Sequence, residues 1–228
     1  MKVSINKDVF KKFPKLKIVL LNIEGIDNQS KIKESKQLLK DIERYTKLTF
    51  NKETLTNHNL IAPWSVAKEE FGAKAKHYHT AVERLLKKAM KGKSSVTNNV
   101  LTNILRYIAL KHLVPFGVDD KTELKGEVNF AISKGKEKAD ILRTVLPGAL
   151  YYHDDKKVLG TKLDYWRNRK TKLRKTTVYA LLHFDILPPV DSKKQSALLK
   201  ETKSLVKTFC NAEIKVYTLD KKKSSLTI

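Results

Sequence analysis

Amide and guanidinium side chains recur along one side of a predicted helix in the middle of the chain. In the segment SSVTNNVLTNILRYIALKHLVPFGVDD (residues 94–120), the apolar residues from Val100 onward fall on one arc of a helical wheel. Asn99, Asn103 and Arg106 fall on the opposite arc. Such groups, held on a helix whose other face is buried, can hydrogen-bond a ligand or a water molecule without reorganising. We therefore predict an amphipathic helix over 99–112 with a hydrogen-bonding face; the alternative is that this polar arc is only solvated.

The turn that ends this helix is expected to be formed by Pro115, Phe116 and Gly117. Proline cannot donate a backbone hydrogen bond, and it disfavours helix in the residue before it. The turn would bring Pro115 and Gly117 to a helix-to-loop corner beside an aromatic ring.

The strongest charge cluster is the segment Thr161–Lys175 (TKLDYWRNRKTKLRK), in which two aromatic residues lie among basic ones. Basic groups neutralise phosphates, and an aromatic face can stack on an exposed base. We predict that this segment binds RNA, although a role in anchoring a loop is an equal alternative for its tryptophan. The predicted RNA-binding residues are Lys162, Trp166, Arg167, Arg169, Lys170, Lys172 and Arg174.

The charge balance of the whole chain also indicates a polyanionic partner. The sequence has 47 Lys and Arg against 24 Asp and Glu, a net charge of +23 over 228 residues. Nucleic acid is the leading partner class. No apolar run is long enough to span a bilayer, so we expect no membrane partner. A predicted helix with Arg84, Lys87, Lys88 and Lys91 on one face is either a second RNA contact or a solvated surface.

The histidines and the one cysteine indicate neither a metal site nor a disulfide. His77 and His79 are two residues apart on a predicted helix and point in different directions, and Cys210 has no partner at ligand spacing. The adjacent pairs Asp119-Asp120 and Asp154-Asp155 are interpreted as solvated turn acids. We expect no metal and no cofactor. Since the first residues also lack the apolar core of a signal peptide, a cytoplasmic location is expected.

The alternation between helical and strand periodicity predicts the α+β class, with a mixed or antiparallel sheet covered by helices. The predicted strands of this sheet are Lys17–Ile26, Glu127–Ser133 and Thr177–Leu187, with a hairpin from Tyr151 to Leu163 and a last strand at Glu213–Leu219. Four further helices are predicted. One begins at Ser30, two cover Ala62–Phe71 and His77–Lys91, and the last runs from the capping residue Asp191 to Phe209. We predict that residues 1–228 form a single compact domain with a frayed tail at 220–228.

One family shares the order of several of these residues. The sequence resembles the editing domain of the bacterial phenylalanyl-tRNA synthetase beta subunit, and is similar to free-standing relatives of that domain, between about Lys17 and Leu219. The residues that carry the resemblance are Asn98-Asn99, Val100-Leu101, Asn103, Tyr107, Leu110, Pro115, Gly117, Asp120, Gly126 and Lys134-Gly135. The segment KKVLGTKLDYWRNRKTKLRKTT also fits the relatives, through Val158-Leu159, Trp166-Arg167 and Thr171-Lys172.

The resemblance implies a compact α+β domain that binds the aminoacylated 3′ end of tRNA and hydrolyses a mischarged ester. It also implies that a positioned water attacks the ester and that no side chain is a covalent nucleophile. On this basis the catalytic residues are Asn99, Asn103, Arg106, Pro115 and Gly117. The sequence departs from the family at two places: Leu105-Arg106 replaces a Thr-Asn pair, and Gly117 replaces a histidine.

Three functions remain open at this stage. The first is a free-standing hydrolase of mischarged aminoacyl-tRNA, in which Asn103→Ala slows the reaction about tenfold or more because one oriented hydrogen bond is lost. The second is a non-catalytic tRNA- or RNA-binding module of the same fold. The third is an interaction protein whose basic surface meets an acidic protein. No obligate protein partner is inferred.

Overall fold

Two β-sheets pack face to face, and helices cover the outer face of one of them. The computed structural model describes residues 1–51, 55, 58, 81–140, 143–161 and 166–228. The strands are β1 (Lys2–Ile5), β2 (Lys17–Glu24), β3 (Phe116–Asp120), β4 (Val128–Ile132), β5 (Lys138–Asp140), β6 (Arg143–Thr144), β7 (Leu150–His153), β8 (Val158–Thr161), β9 (Tyr179–Ile186), β10 (Glu213–Leu219) and β11 (Ser225–Thr227). The helices are α1 (Lys7–Lys12), α2 (Ile32–Thr49), α3 (Ala81–Met90), α4 (Val100–His112) and α5 (Ser192–Cys210). The predicted α+β class is confirmed.

The central layer is a four-stranded antiparallel sheet with the order β10-β2-β9-β3. Successive residues of a strand point to opposite faces, so Val19 and Leu21 of β2 pack against the helices while Ile18 and Leu20 face the second sheet. Burial on both faces explains why β2 and β9 are nearly continuous apolar runs. The predicted strands at these two places are confirmed, each slightly shorter than expected.

The second layer is a five-stranded mixed sheet with the order β11-β1-β4-β7-β8, in which only β1 and β4 are parallel. The predicted hairpin is formed by β7 and β8, which pair antiparallel. The strand predicted at Glu127–Ser133 corresponds to β4, but it lies in this second sheet rather than beside β2 and β9. Alternating periodicity predicts that a strand has two different faces, and it does not tell which sheet the strand joins.

The central helix α4 is buried between the antiparallel sheet and the helices α2, α3 and α5. Leu101, Ile104, Leu105 and Ile108 are all fully buried. Asn99 caps the helix, because its side-chain oxygen accepts a hydrogen bond from the backbone N–H of Thr102 at 2.8 Å. The helix predicted over 99–112 is therefore confirmed. The helix ends at His112, and the next residue, Leu113, caps it in a left-handed conformation with φ 55°.

The two chain termini pair with each other, and the predicted frayed tail is wrong. Strand β11 pairs antiparallel with β1, and the amino group of Met1 donates to the carbonyl oxygen of Ile228 at 2.8 Å. Leu226 and Ile228 pack against the core between the two sheets. The tail is ordered because the open edge of β1 offers backbone partners to a segment that has apolar residues to bury.

Of the two predicted helix caps, one is confirmed and one is wrong. Asp191 caps α5 as predicted, by accepting from the N–H of Lys194 at 2.8 Å. Ser30 does not cap α2, which begins at Ile32, because the Asp27 carboxylate forms a turn with the N–H groups of residues 29 and 30. The helix predicted at Ala62–Phe71 and the first four residues of His77–Lys91 lie outside the described residues. Among the helices that are described, none is long and apolar enough to cross a bilayer.

Candidate nucleic-acid interface

A cleft of about 480 Å³ lies between α3, α4 and the basic loop, the name used here for residues 166–175. Its floor is apolar and includes Phe116 and Val118 of β3. Among the described residues that line the cleft there is no carboxylate. The cationic side chains that line it come from three segments and are Arg84, Lys88, Arg106, Arg167, Arg169 and Lys172. Cationic groups with no carboxylate among them attract anions.

Arg106 lies at the centre of this charge. Its guanidinium donates a hydrogen bond to the carbonyl oxygen of Ser95. Burial lowers the pKa of Arg106, and so do the positive charges of Arg167 and Arg84, while Glu43 acts in the opposite direction. The guanidinium groups are thus close enough to repel one another, and an anion bound among them would relieve that repulsion.

Arg167 joins the basic loop to the floor of the cleft. Its guanidinium donates to the carbonyl oxygen of Phe116 and lies 5.0 Å above the centre of the Phe116 ring, which is cation–π geometry. The backbone N–H of the next residue, Asn168, donates to the carbonyl of Leu159 at 2.8 Å, which holds the start of the loop along β8. Arg167 is therefore positioned by contacts of its own guanidinium and by the backbone of the next residue.

Two buried carboxylates of β3 hold the basic loop and the residues that follow it. Thr171 donates its hydroxyl to Asp119 Oδ1 at 2.5 Å, and Thr177 donates its hydroxyl to Asp120 Oδ2 at 2.5 Å. Asp119 and Asp120 are only 2% and 6% exposed, so their interpretation as solvated turn acids is wrong. The segment after the helix is strand β3 rather than a turn, and threonine hydroxyls reach the carboxylates on both of its faces.

Asp154 also differs from the sequence prediction. Its carboxylate is buried and accepts from the backbone N–H groups of Lys125, Lys156 and Lys157, and it forms an ion pair with Lys157 at 2.8 Å. Burial raises the pKa of Asp154, but the hydrogen bonds outweigh this effect and the pKa lies below its ordinary value. Asp155 is exposed, as predicted.

The amides of Asn99 and Asn103 are bound inside the protein rather than in the cleft. Asn103 is fully buried; its oxygen accepts from the N–H and hydroxyl of Thr97, and its nitrogen donates to Ser35 and to the carbonyl of Thr97. The nitrogen of Asn99 donates to the carbonyl of Arg174 at 3.0 Å. Asn103 is not solvated, because α2 and the segment before α4 cover it, whereas Arg106 of the same predicted arc lines the cleft. Asn99 and Asn103 position the cleft walls.

Pro115 and Gly117 lie on the other side of the cleft floor, facing the second sheet. A Cβ atom at Gly117 would be 1.9 Å from the imidazole ring of His183, so glycine is required there by close approach. The ring of His183, from the neighbouring strand β9, fills the space that a side chain at 117 would need.

The basic loop divides into residues that face the cleft and residues that do not. Arg167, Arg169 and Lys172 line the cleft, whereas Arg174 pairs with Glu123 at 3.2 Å outside it. Trp166 packs against a small apolar cluster on the mixed sheet. Lys170 is exposed to solvent and does not line the cleft. Lys162 lies outside the described residues.

Arg84 and Lys88 belong to the helix face that the sequence left open as either a second RNA contact or a solvated surface, and both line the cleft. The aromatic ring beneath the cleft is Phe116 rather than Trp166.

The fold and site therefore define an α+β protein with a basic cleft beside its central helix. No protein-family model and no curated protein matches the sequence. Among solved structures, an N-terminal fragment of the phenylalanyl-tRNA synthetase beta subunit from Pyrococcus horikoshii is similar at 9% identity, with a TM-score of 0.44 over 93% of this chain. The chain spans about half of that structure, 49% of its length. This is a weak resemblance at the level of the fold.

Proposed function

We propose that this protein binds RNA through the basic cleft, which takes the phosphates of a single-stranded or terminal segment. The observation that supports the proposal is the convergence of six cationic side chains on one cleft with no carboxylate among its described lining residues. Charge alone would also suit an acidic protein. Fixed guanidinium groups favour phosphate, since their paired N–H donors match its oxygens.

The shape of the cleft favours a short segment over a duplex. Its volume of about 480 Å³ lies within the roughly 300–1,000 Å³ typical of sites for compact ligands. Two of its cations, Arg106 and Arg167, are held by backbone carbonyl groups and so lose little freedom when an anion binds. The end of a tRNA acceptor strand is a segment of this kind, and it is the RNA that the family resemblance suggests.

The test is the salt dependence of RNA affinity, measured by fluorescence anisotropy with a labelled single-stranded RNA and with tRNA. Each phosphate contact in single-stranded RNA contributes about 0.7 to the slope of log affinity against log salt. We expect the double variant Arg106→Gln with Arg167→Gln to reduce this slope by roughly 1.4, because two contacts are removed. Glutamine retains an N–H donor for the carbonyls of Ser95 and Phe116.

The matched control is Lys170→Gln with Arg174→Gln, which removes the same charge from the same loop outside the cleft. This control should keep the wild-type slope. Equal losses in the two double variants would mean that RNA lies along the exposed loop and that the cleft is not the site.

The finer proposal is that the bound RNA is a mischarged aminoacyl-tRNA and that the protein hydrolyses its ester in trans, in the cytoplasm. In this proposal Arg106 acts in the cleft, Pro115 and Gly117 border the reacting group, and Asn99 and Asn103 act by supporting the walls. A panel of mischarged tRNAs assayed for loss of the ester tests the idea. Tight binding with no loss of any ester would instead identify a non-catalytic RNA-binding module of this fold.

A further inference from the structure

A second, much smaller space lies behind Arg167, between the two sheets. Its volume is about 10 Å³, close to the roughly 10–15 Å³ that one water molecule needs. Arg167 and Phe116 line both this recess and the basic cleft, so the two spaces are neighbours. The other described residues around the recess include Gly117, Tyr152, Thr161, His183 and Asp185.

The recess is polar although it is buried within an apolar layer. Tyr152, His183 and Asp185 are each 2% exposed. The hydroxyl oxygen of Thr161 is buried and has no hydrogen-bond partner among the described residues. Such groups are costly in a core unless hydrogen bonds satisfy them, and a space of this size with several polar neighbours suits one water molecule.

His183 is held rigidly at this recess. Its ring packs edge-on against Phe130 and Tyr152, with ring centres 5.3 and 4.8 Å apart, and its close approach to β3 is possible because residue 117 is glycine. The Tyr152 hydroxyl donates to Asp119 Oδ2 at 2.9 Å, which fixes the tyrosine ring. Burial, and then the charge of Asp119, raise the pKa of Tyr152 well above its ordinary value, so the phenol stays neutral.

We propose that this recess holds the water molecule that attacks a carboxylic ester carried by RNA in the basic cleft, and that His183 is its general base. The proposal rests on the proposed function. The water oxygen forms a bond to the ester carbonyl carbon while His183 takes one of its protons. Arg167 donates to the carbonyl oxygen as that oxygen becomes negative. The bond from carbon to the ribose oxygen then breaks, and His183 returns the proton to that oxygen, which leaves a free ribose hydroxyl and a carboxylic acid.

An ester fits this recess better than an RNA phosphodiester. RNA strands can be cleaved by attack of their own ribose 2′-hydroxyl, which needs no separate site for water, whereas hydrolysis of an acyl ester needs water as the nucleophile. A rigid base and a guanidinium on either side of a water-sized space are the groups that this reaction uses. Besides His183, the ionisable groups that line the recess among the described residues are Tyr152 on β7, Asp185 on β9 and Arg167 in the basic loop. Asp119 on β3 accepts a hydrogen bond from Tyr152.

The test compares His183→Gln with the control His153→Gln, which alters a half-buried histidine of β7 outside the recess. Three quantities are measured: the rate of ester loss from mischarged tRNA, the length of the RNA, and the affinity for uncharged tRNA. A general base contributes about 100-fold or more to a rate, so His183→Gln should lose at least that factor while its RNA affinity and the control rate stay unchanged.

A second variant, Thr161→Val, keeps the shape of the recess and removes one partner of the water. It decides the question if His183→Gln does not fold, and we expect a rate about tenfold lower with unchanged RNA affinity. If the folded His183 variant hydrolyses the ester at the wild-type rate, His183 is not the base and the proposal is refuted, but the proposed hydrolysis is not. If the wild-type protein binds RNA and hydrolyses no ester, the proposal is refuted, but the proposed RNA binding is not. If the RNA is shortened in a reaction that needs His183, the proposal is refuted because the substrate is a phosphodiester and not an ester.

Discussion

The side chain of Asn103 should stabilise the fold rather than act on a substrate. It makes four hydrogen bonds at 2.9 to 3.1 Å, to Thr97 and Ser35, and none of its surface is exposed. A hydrogen bond contributes about 1 kcal/mol net, and a buried partner left unsatisfied costs more. Because some partners can turn toward other acceptors, we expect Asn103→Ala to lower the free energy of unfolding by about 2–4 kcal/mol.

The assay is urea unfolding followed by circular dichroism, with thermal unfolding as a second measurement. For a chain of this size each 1 kcal/mol shifts the melting temperature by roughly 2–4 °C, so a fall of about 5–15 °C is expected. The matched control is Asn98→Ala. Asn98 is exposed, and among the described residues its side chain accepts from Lys36 alone, at 2.6 Å. Its loss should change stability by less than about 0.5 kcal/mol.

A stable Asn103→Ala variant with reduced activity would contradict a structural role for Asn103. If this variant were as stable as the control and yet hydrolysed a mischarged tRNA tenfold more slowly than the wild type, Asn103 would act on the substrate, as its position on the helical wheel suggested. The reasoning from burial would then be refuted.

Three further outcomes are expected. Gly117→Ala should destabilise the protein by about 1–3 kcal/mol in urea, because its Cβ would overlap the His183 ring; wild-type stability would mean that the ring moves freely. Burial opposes the charge of Glu137, but hydrogen bonds from backbone N–H groups and from Ser133 outweigh it and lower its pKa from 4.5 to about 2. The ionised Glu137 therefore stabilises the fold above about pH 4.5, and this stabilisation is lost as the pH falls toward 2. Glu137→Gln should make the free energy of unfolding depend less on pH in that range, and an identical dependence in the two proteins would contradict this. Burial raises the pKa of Cys210 to about 12, so a thiol reagent should modify it in the unfolded protein and not in the native one, and rapid native labelling would show that the site opens.

Features set by neighbouring residues could be predicted from the sequence. The boundaries of α4, the cap of α5 and the last long strand are all confirmed, because caps, helical periodicity and apolar runs act over a few residues. The basic character of the loop around Arg167 can also be read from the sequence. The contact of any of these residues with RNA stays a prediction.

The sequence by itself thus determined the types of most elements and the sign of the charge, while the tertiary structure decided which surfaces and side chains meet. Asp119 and Asp120 are buried because hydroxyls more than 50 residues away in sequence reach them. Arg84, Arg106 and Arg167 form one cleft only after two helices and a loop have packed together. Likewise, the amphipathic pattern of α4 predicts a polar face, but only the packing of α2 over that face turns Asn103 from a candidate catalyst into a buried structural amide. Local periodicity reports how a segment differs between its two faces, and it carries no information about the distant segment that covers each face.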